Sequence, residues 1–253
     1  TIDYQGPHYA VSSVTDPDGI GGTRQTDYQY EGAKIHKQGK GFLSFSKITT
    51  IDNTAGLKSE VNYLQIPGIS PIIAHAVSGT KTIPSSGTGI ISESTITNSA
   101  KTYGNNRFFP FISHSVAVNN LKGQTITRDF TYDNDGNLTN STTSYGTAES
   151  ESTDYTYIQK GSWLPNRIET QEITNTRYGD SYTISNFYDY YSTGKLKQQK
   201  VFKDLGKEVA TDYTYNGIGN LIRVEVSSPG LESIIKTIDE YDEHGRFATK
   251  TTN

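Results

Sequence analysis

Cysteine and methionine are both absent from this sequence of 253 residues, and tryptophan occurs only once. Without cysteine the chain can form no disulfide and offers no thiol chemistry, which fits bacterial surface repeats better than small eukaryotic secreted modules. No apolar run approaches the roughly 18 residues that a membrane-spanning helix needs. Neither a methionine nor a signal peptide precedes the strand-like opening, so we expect a segment of a longer polypeptide.

The chain also lacks a strong charge of either sign and has few apolar residues. It contains 23 basic and 27 acidic residues, a net charge of −4, so no nucleic-acid partner is expected. Hydrophobic residues make up 32% of the chain and the mean hydropathy is −0.61. Such a sequence cannot supply a thick core, whereas repeats that bury one another need fewer apolar residues.

Residues that favour β-strands are abundant. The chain has 18 tyrosines and 9 phenylalanines, together with runs of threonine, isoleucine and valine. No window has a sustained apolar period of 3.6 residues, the pattern of an amphipathic helix. We therefore predict an all-β fold with little or no helix.

A repeat in the C-terminal half is the most informative feature. Its pattern is an aromatic residue, any residue, tyrosine, Asp or Asn, two residues, glycine, any residue and an apolar residue. The five copies contain Phe130, Tyr132, Asp133, Gly136 and Leu138; Tyr155, Tyr157, Gly161 and Trp163; Tyr188, Tyr190, Gly194 and Leu196; Tyr213, Tyr215, Asn216, Gly219 and Leu221; and Tyr241, Asp242, Gly245 and Phe247. The second tyrosines are 25, 33, 25 and 26 residues apart, and the longer interval predicts an insertion around Trp163–Arg177.

Each copy has the chemistry of a β-hairpin. The two tyrosines of Tyr-x-Tyr point to the same face of a strand. Asp or Asn followed by glycine three residues later is typical of a turn, in which the side chain caps backbone N–H groups and glycine takes a positive φ. A single hairpin is marginally stable in water. We therefore predict consecutive antiparallel hairpins that pair edge to edge in a continuous curved or spiral sheet.

The N-terminal half is less regular but also strand-like. Tyr28 and Tyr30 repeat the aromatic alternation, with a glycine close behind. Turn signals occur at Asp16–Gly19 and Asp52–Gly56, and the proline- and glycine-rich stretch Ile66–Gly89 is expected to hold loops and a strand crossing. The predicted strands are Val11–Thr15, Phe42–Ile51 and Glu60–Leu64.

These residues resemble a known family. The copies at Phe130–Leu138 and Tyr241–Phe247 resemble the YD repeats of bacterial Rhs (rearrangement hot spot) and wall-associated proteins. The segment Val11–Thr50 is similar to the middle region of insecticidal toxin-complex B-type subunits, in which a glycine-basic-glycine-phenylalanine-leucine run, here Gly39–Leu43, leads into a strand. Arg107–Ser113 resembles the segment that joins that region to the following repeats.

The resemblance implies a spiral of hairpins that is part of a hollow shell. In the family such shells enclose or present a toxic C-terminal polypeptide, and the repeats carry no reaction. It implies a toxin-middle-like region over residues 1–115 and YD-repeat hairpins over 116–253, continuous with it, in a secreted or cell-surface bacterial protein. The expected partners are neighbouring repeats and a C-terminal effector of the same parent chain. The family prefers Asp where the second copy has Ile158 and the third has Tyr191.

Residue types that carry chemistry are present but scattered. The histidines form no HxxxH or HExxH pair, and no serine lies in a GxSxG elbow. Paired carboxylates such as Asp239-Glu240 lie on turn-like sequence. We therefore expect no catalytic residue, no metal site and no cofactor. The five histidines are His8, His36, His75, His114 and His244.

Two motifs have a second interpretation. Asp133–Asn137 suggests a calcium loop, but aligning its glycine with the loop glycine of an EF-hand puts Thr131 first and Thr142 last, so we favour a hairpin turn. Asp16–Gly19 resembles the Asp-Pro-x-Gly signature that ends many Rhs cores, where an intramolecular protease acts. Repeats follow it here, and we interpret it as a type I turn with Pro17 at its second position.

The rows of tyrosine leave an alternative function open. Tyrosines at repeat turns can pack on the tyrosines of the next repeat, where such cross-strand pairs contribute roughly 0.2–1 kcal/mol each. Exposed aromatic rows can instead stack on sugar rings. The alternative to a structural shell is therefore a surface adhesion or carbohydrate-binding module, with cell-surface glycans as partners.

Overall fold

The computed structural model describes residues 2–6, 9–36, 39, 41–66, 75–104, 107–158, 166–203 and 207–252. Within these residues the chain forms strands and turns and no helix, so the predicted all-β fold of consecutive antiparallel hairpins is confirmed. The first eleven strands are β1 (Ile2–Asp3), β2 (Ser13–Pro17), β3 (Thr23–Glu31), β4 (Lys34–Ile35), β5 (Phe42–Ser44), β6 (Lys47–Asp52), β7 (Leu57–Gln65), β8 (His75–Pro84), β9 (Ser92–Thr102), β10 (Phe108–Asn119) and β11 (Gln124–Tyr132).

The remaining strands follow at short intervals. They are β12 (Leu138–Tyr145), β13 (Glu149–Tyr157), β14 (Ile168–Arg177), β15 (Asp180–Tyr190), β16 (Leu196–Lys203), β17 (Lys207–Tyr215), β18 (Leu221–Ser227), β19 (Ile234–Tyr241) and β20 (Ala248–Thr252). The chain divides into two compact units. Unit 1 comprises Thr1–Phe130 with Thr143–Thr147, and unit 2 comprises Thr131–Thr142 with Ala148–Asn253.

Unit 1 contains a small sheet and a large one. Strands β1, β4 and β5 form the small sheet. In the large sheet β3 lies between β2 and β6, and every strand from β6 to β11 pairs antiparallel with the next along the chain. The stretch that carries β4 and β5 thus leaves the large sheet after β3 and returns to it at β6.

This excursion corrects one predicted strand. Phe42–Ile51 is not continuous, because β5 ends at Ser44 in the small sheet and β6 begins at Lys47 in the large one. The N–H of Ser46 at the break donates to the carbonyls of Glu31 and Gly32, over 2.9 and 3.0 Å. Neither the two aromatic residues nor the alternation of this stretch signals a change of sheet.

The predicted turn at Asp16–Gly19 is also wrong. Asp16 and Pro17 lie in β2, where they pair with Arg24 and Thr23. The chain turns two residues later, because the carboxylate of Asp18 caps the turn that follows it. Strand β2 therefore begins two residues after the predicted Val11–Thr15 and extends through the proline.

The predicted strand Glu60–Leu64 is confirmed and is part of the longer β7. One further prediction needs correction: in the predicted loop stretch Ile66–Gly89, β8 forms an antiparallel pair with β7 rather than a strand crossing. Residues 67–74 of that stretch lie outside the described residues.

Unit 2 has the simplest topology that hairpins allow. From β13 to β20 each strand pairs antiparallel with the next strand of the chain. Tight turns join most of these strands, so that successive hairpins share their edges. This arrangement brings corresponding residues of successive repeats to corresponding strand ends.

The apolar core is thin. Among the described residues only Ile66, Ile158 and Ala210 are buried hydrophobic side chains, whereas several threonines and asparagines are buried as well. Thr49, with 2% of its surface exposed, is the most buried side chain of the described residues. Strand pairing and half-buried tyrosines therefore carry more of the packing than a central apolar cluster does. No helix in the described ranges is long and apolar enough to cross a membrane.

Candidate functional site at the repeat turns

The repeat residues lie at the strand ends and in the turns. The second tyrosine is the last residue of its strand in every copy: Tyr132 of β11, Tyr157 of β13, Tyr190 of β15, Tyr215 of β17 and Tyr241 of β19. The apolar residues Leu138, Leu196 and Leu221 are the first residues of the return strands β12, β16 and β18. Gly161 and Trp163 of the second copy lie outside the described residues.

Asp133 organises the first turn. Its N–H donates to the carbonyl of Asn137 over 2.9 Å, and its Oδ1 accepts the N–H groups of Asp135 and Asn137, both over 2.8 Å. Its Oδ2 accepts from the side-chain amide of Asn137 over 2.8 Å. Gly136 has a φ of 88°, which glycine adopts without strain. The carboxylate therefore caps the turn from inside, in the manner of an Asx turn.

Burial and hydrogen bonding act in opposite directions on the Asp133 carboxylate. Burial alone would raise its pKa, but the hydrogen bonds from the Asn137 side chain and from the backbone of Asn137, Asp135 and Gly136 together outweigh burial and lower the pKa. The carboxylate thus remains ionised at neutral pH. Both of its oxygens already accept hydrogen bonds within the turn, which supports the hairpin-turn interpretation over a calcium loop.

The fourth turn uses the same cap, and the fifth turn uses a variant in which the accepted N–H groups lie four and five residues after the Asp rather than two and four. Oδ1 of Asn216 accepts the N–H groups of Ile218 and Asn220, over 3.2 and 2.9 Å. In the fifth turn, Oδ1 of Asp242 accepts the N–H groups of Arg246 and Phe247. The glycines of these two turns, Gly219 and Gly245, have φ values of 94° and 65°.

The second copy departs from this geometry through its loop. The N–H of Ile158 donates to the carbonyl of Arg167 over 2.8 Å, so the bond that closes the turn spans nine residues rather than four. Ile158 has no polar side chain with which to cap, and only 7% of its surface is exposed. The predicted insertion around Trp163–Arg177 includes β14, which is 10 residues long, and the first residues of the insertion lie outside the described ranges.

In the third copy the backbone of the turn is kept and the cap is lost. The N–H of Tyr191 donates to the carbonyl of Lys195 over 2.9 Å, that of Gly194 donates to Tyr191 over 2.8 Å, and Gly194 has a φ of 82°. The Tyr191 side chain extends to the next hairpin instead, where its hydroxyl donates to the carbonyl of Tyr213 over 3.0 Å. Its ring meets that of Tyr215 edge to face at 6.0 Å.

Unit 1 contains one turn of the same kind that was not predicted from the sequence. The N–H of Asp18 donates to the carbonyl of Gly22 over 3.0 Å, and its Oδ1 accepts the N–H groups of Ile20 and Gly22, over 2.9 and 2.8 Å. Gly21, three residues after Asp18, has a φ of 96°. The sequence signal for this turn is Asp18 followed by a glycine three residues later. The Asp-Pro pair that begins two residues before Asp18 obscured this signal, because it placed the predicted turn too early.

A β-bulge accompanies the second tyrosine. Asp189 pairs with Gln198, but Tyr190 pairs with Leu196, so Lys197 is an extra residue in the return strand. Bulges bend a strand and increase its twist. This one sets the second tyrosine opposite the apolar residue that begins the return strand. Tyrosines with the same one-residue shift beside them are Tyr63, Tyr157, Tyr215 and Tyr241.

The hydroxyls of two second tyrosines reach back to the preceding repeat. That of Tyr157 donates to the carbonyl of Leu138 over 2.8 Å, and that of Tyr241 donates to the carbonyl of Leu221 over 2.6 Å. Tyr30 in unit 1 makes the equivalent bond to Val11 over 3.0 Å. Because the acceptors are backbone carbonyls, this contact is independent of the side chain at the accepting position.

Burial affects the chemistry of these hydroxyls. It raises the pKa of the tyrosines at and near the strand ends because the charged phenolate loses its hydration. The hydroxyls thus stay protonated at neutral pH and can donate. The tyrosines so affected are Tyr132, Tyr157, Tyr188, Tyr190 and Tyr215.

Consecutive turns are also joined directly. In the third and fourth turns, the side chain that follows the repeat glycine donates to the carbonyl of the repeat glycine in the next turn. The Lys195 ammonium donates to Gly219, and the Asn220 amide donates to Gly245 over 2.8 Å. Lys195 Nζ also lies 5.0 Å from the centre of the Tyr215 ring, within cation–π range. The third, fourth and fifth turns are therefore linked in a ladder along one end of the strands in unit 2.

The polar residues outside the turns form no chemical cluster. No group of three or more histidine, aspartate or glutamate side chains in the described ranges could hold a metal ion. His36 is buried, and Nδ1 of the half-buried His114 lies 2.6 Å from Oδ1 of Asp129. His244 lies beside Glu243 in the fifth turn at 3.3 Å. His8 lies outside the described residues.

No protein-family model matches the sequence, and no curated protein matches it either.

Proposed function

We propose that the chain is a non-catalytic structural segment of a secreted or cell-surface bacterial protein. Its stacked hairpins form part of a shell that encloses or presents a C-terminal effector of the same parent chain. The likeness of its repeats to YD repeats motivates the proposal. The observation that carries it is that hydrogen bonds link successive hairpins at the strand ends where the turns lie.

The links suit a structural wall because their acceptors are backbone carbonyls, which every repeat possesses. The hydroxyls of Tyr157 and Tyr241 donate to carbonyls of the preceding repeat, and the side chains of Lys195 and Asn220 donate to carbonyls of the next one. Since the hydrophobic core is thin, a hairpin depends on its neighbours for stability. A wall of this kind is therefore stable as an uninterrupted row of paired hairpins.

The alternative, glycan binding by rows of exposed tyrosines, has less support. The five second tyrosines are half-buried, and two of their hydroxyls already bond to backbone carbonyls. A ring that packs within its own sheet offers little free face for a sugar. Packing on neighbouring repeats is therefore the better account of these tyrosines.

Limited proteolysis of the natural polypeptide that contains this segment tests the proposal. We expect the region that follows the repeats to resist protease while the wall is intact. Gly219→Val, which strains a repeat turn, should expose that region to cleavage, whereas Gly217→Val in the same turn should leave it protected. Equal cleavage of that region in the wild type and both variants would contradict enclosure.

A further inference from the structure

The uncapped third turn borders a groove of about 540 Å³ in unit 2, a volume in the range of about 300–1,000 Å³ typical of small-molecule sites. One side of the groove is formed by the third turn, with Tyr191, Thr193 and Lys195. The other is formed by the end of β17 and the fourth turn, with Tyr215 and Ile218. It therefore lies where the repeat departs from its own pattern.

The departure leaves two backbone donors without their usual acceptor. In the first turn one carboxylate oxygen accepts the N–H groups two and four residues after Asp133. The corresponding donors of the third turn are the N–H groups of Thr193 and Lys195. The third turn keeps the backbone bonds of the others, but within the described part of the chain no atom accepts a hydrogen bond from either N–H.

A ligand oxygen can take the place of the missing carboxylate. The two N–H groups converge on one acceptor position in the first and fourth turns. Beside them lies the Lys195 ammonium, which has three donors and uses one on Gly219. Two N–H groups and an ammonium favour an anionic oxygen. In the first turn the acceptor at this position is a carboxylate, supplied by the side chain of Asp133.

The other residues that line the groove indicate which class of ligand bears that carboxylate. Its wall contains no acidic side chain, offers hydroxyls from serine and threonine, and includes two tyrosine rings and the exposed Ile218. Hydroxyl donors beside the exposed apolar side chain of Ile218 suit a sugar ring, which has polar edges and apolar faces. We propose that the groove between the third and fourth turns binds an acidic sugar, whose carboxylate occupies the empty cap position of the third turn.

Titration of the chain with D-glucuronate, followed by amide NMR, tests this site. We expect saturable shifts of the Thr193 and Lys195 N–H resonances with a Kd of about 1 mM, which corresponds to about 4 kcal/mol. D-Glucose, which lacks the carboxylate, should bind at least about tenfold more weakly. The N–H groups of Asp135 and Asn137 serve as an internal control, because their acceptor is already supplied by Asp133.

Two substitutions fill the cap position of the third turn with a side chain of the turn itself. Tyr191→Asp restores the cap and adds a negative charge, and Tyr191→Asn restores it without charge, as Asn216 does in the fourth turn. Both should abolish the shifts while keeping the β-sheet spectrum, and Tyr191→Asn alone suffices if the aspartate variant fails to fold. The proposal is overturned by unresponsive Thr193 and Lys195 amides in the wild type or by undiminished binding in Tyr191→Asn. It is also overturned if acetyl-aspartate amide binds more tightly than glucuronate, which would indicate an acidic peptide.

Discussion

The side-chain amide of Asn220 donates to the backbone carbonyl of Gly245 over 2.8 Å and so ties together two turns that are 25 residues apart in the chain. Asn220 follows the repeat glycine of the fourth turn, and Gly245 is the repeat glycine of the fifth. Lys195 makes the equivalent contact with Gly219 one repeat earlier. A residue outside the recognised pattern thus links each of these repeats to the next.

Removing this link should loosen the fifth turn. Asn220→Ala leaves the Gly245 carbonyl without its donor, so we expect a loss of about 0.5–1.5 kcal/mol in the free energy of unfolding. Amide hydrogen exchange should accelerate at Gly245 and Phe247 and stay unchanged in the first turn. Asn175→Ala is a suitable control, because Asn175 is exposed in β14 and its side chain makes no hydrogen bond within the described residues. Equal effects of the two substitutions would argue against the ladder.

The glycines of the turns should tolerate no β-branched side chain. Gly136 and Gly219 have φ values of 88° and 94°, so Gly136→Val and Gly219→Val should each lower stability by about 1–3 kcal/mol in urea unfolding. At Gly219 the new Cβ would also collide with the Lys195 ammonium. Gly217 has an ordinary φ, and a Cβ added there would meet no atom within 4 Å, so Gly217→Val should change stability little. Unchanged unfolding midpoints at 136 and 219 would refute the turn geometry.

The tyrosine hydroxyls should contribute measurable stability. Tyr157→Phe removes the hydroxyl that donates to the Leu138 carbonyl, which should cost about 0.5–1.5 kcal/mol. Tyr178 is 78% exposed, and its side chain makes no hydrogen bond among the described residues, so Tyr178→Phe is a matched control. The difference between the two variants in the free energy of unfolding, obtained from thermal unfolding, measures the stability that the contact contributes. If both variants unfold like the wild type, the hydroxyl contact does not hold the repeats together.

Asp133 should make stability depend on pH. Its pKa in the folded protein is lowered, whereas in the unfolded chain it is about 3.9. Stability from the ionised carboxylate is therefore fully present above the unfolded value and is lost as the pH falls through the folded value. We expect the wild type to have a higher free energy of unfolding than Asp133→Asn, by an amount that is constant above about pH 5 and disappears at lower pH.

The same residue separates the effect of charge from that of geometry. Asp133→Asn keeps an oxygen for the cap, as Asn216 does, whereas Asp133→Ala removes it and should cost about 1–2 kcal/mol at pH 7. Asp135→Asn controls for the loss of one negative charge from the turn, since the Asp135 carboxylate accepts no hydrogen bond within the described residues. Urea unfolding of the wild type and the three variants between pH 2 and 7 gives the four curves of stability against pH. A constant difference between the wild type and Asp133→Asn over that whole range would contradict the assigned bonding.

Much of this structure could be predicted from the sequence because strands and turns have local signals. Tyrosine alternation and an Asp or Asn three residues before a glycine specify a strand end and a turn. The break between β5 and β6 has no such signal, since it depends on which sheet each strand joins. The bulge beside Tyr190 and the bond from Asn220 to Gly245 are equally hidden, because every residue has a backbone carbonyl and the pattern cannot tell which one accepts. The free N–H groups of the third turn became visible only by comparison with the capped turns.

Deletion of one repeat is the most direct test of the claim that interchangeable hairpins build this chain. Removing the 25 residues Tyr191–Tyr215 joins Tyr190 to the fourth turn and eliminates two strands, so each remaining strand keeps its direction. Removing the 13 residues Lys203–Tyr215 eliminates β17 and only the last residue of β16, and leaves β16 and β18 running the same way. We expect the first variant to keep a β-sheet circular dichroism spectrum and cooperative unfolding, and the second to lose both. The account is contradicted if the two deletions are equally tolerated or equally disruptive.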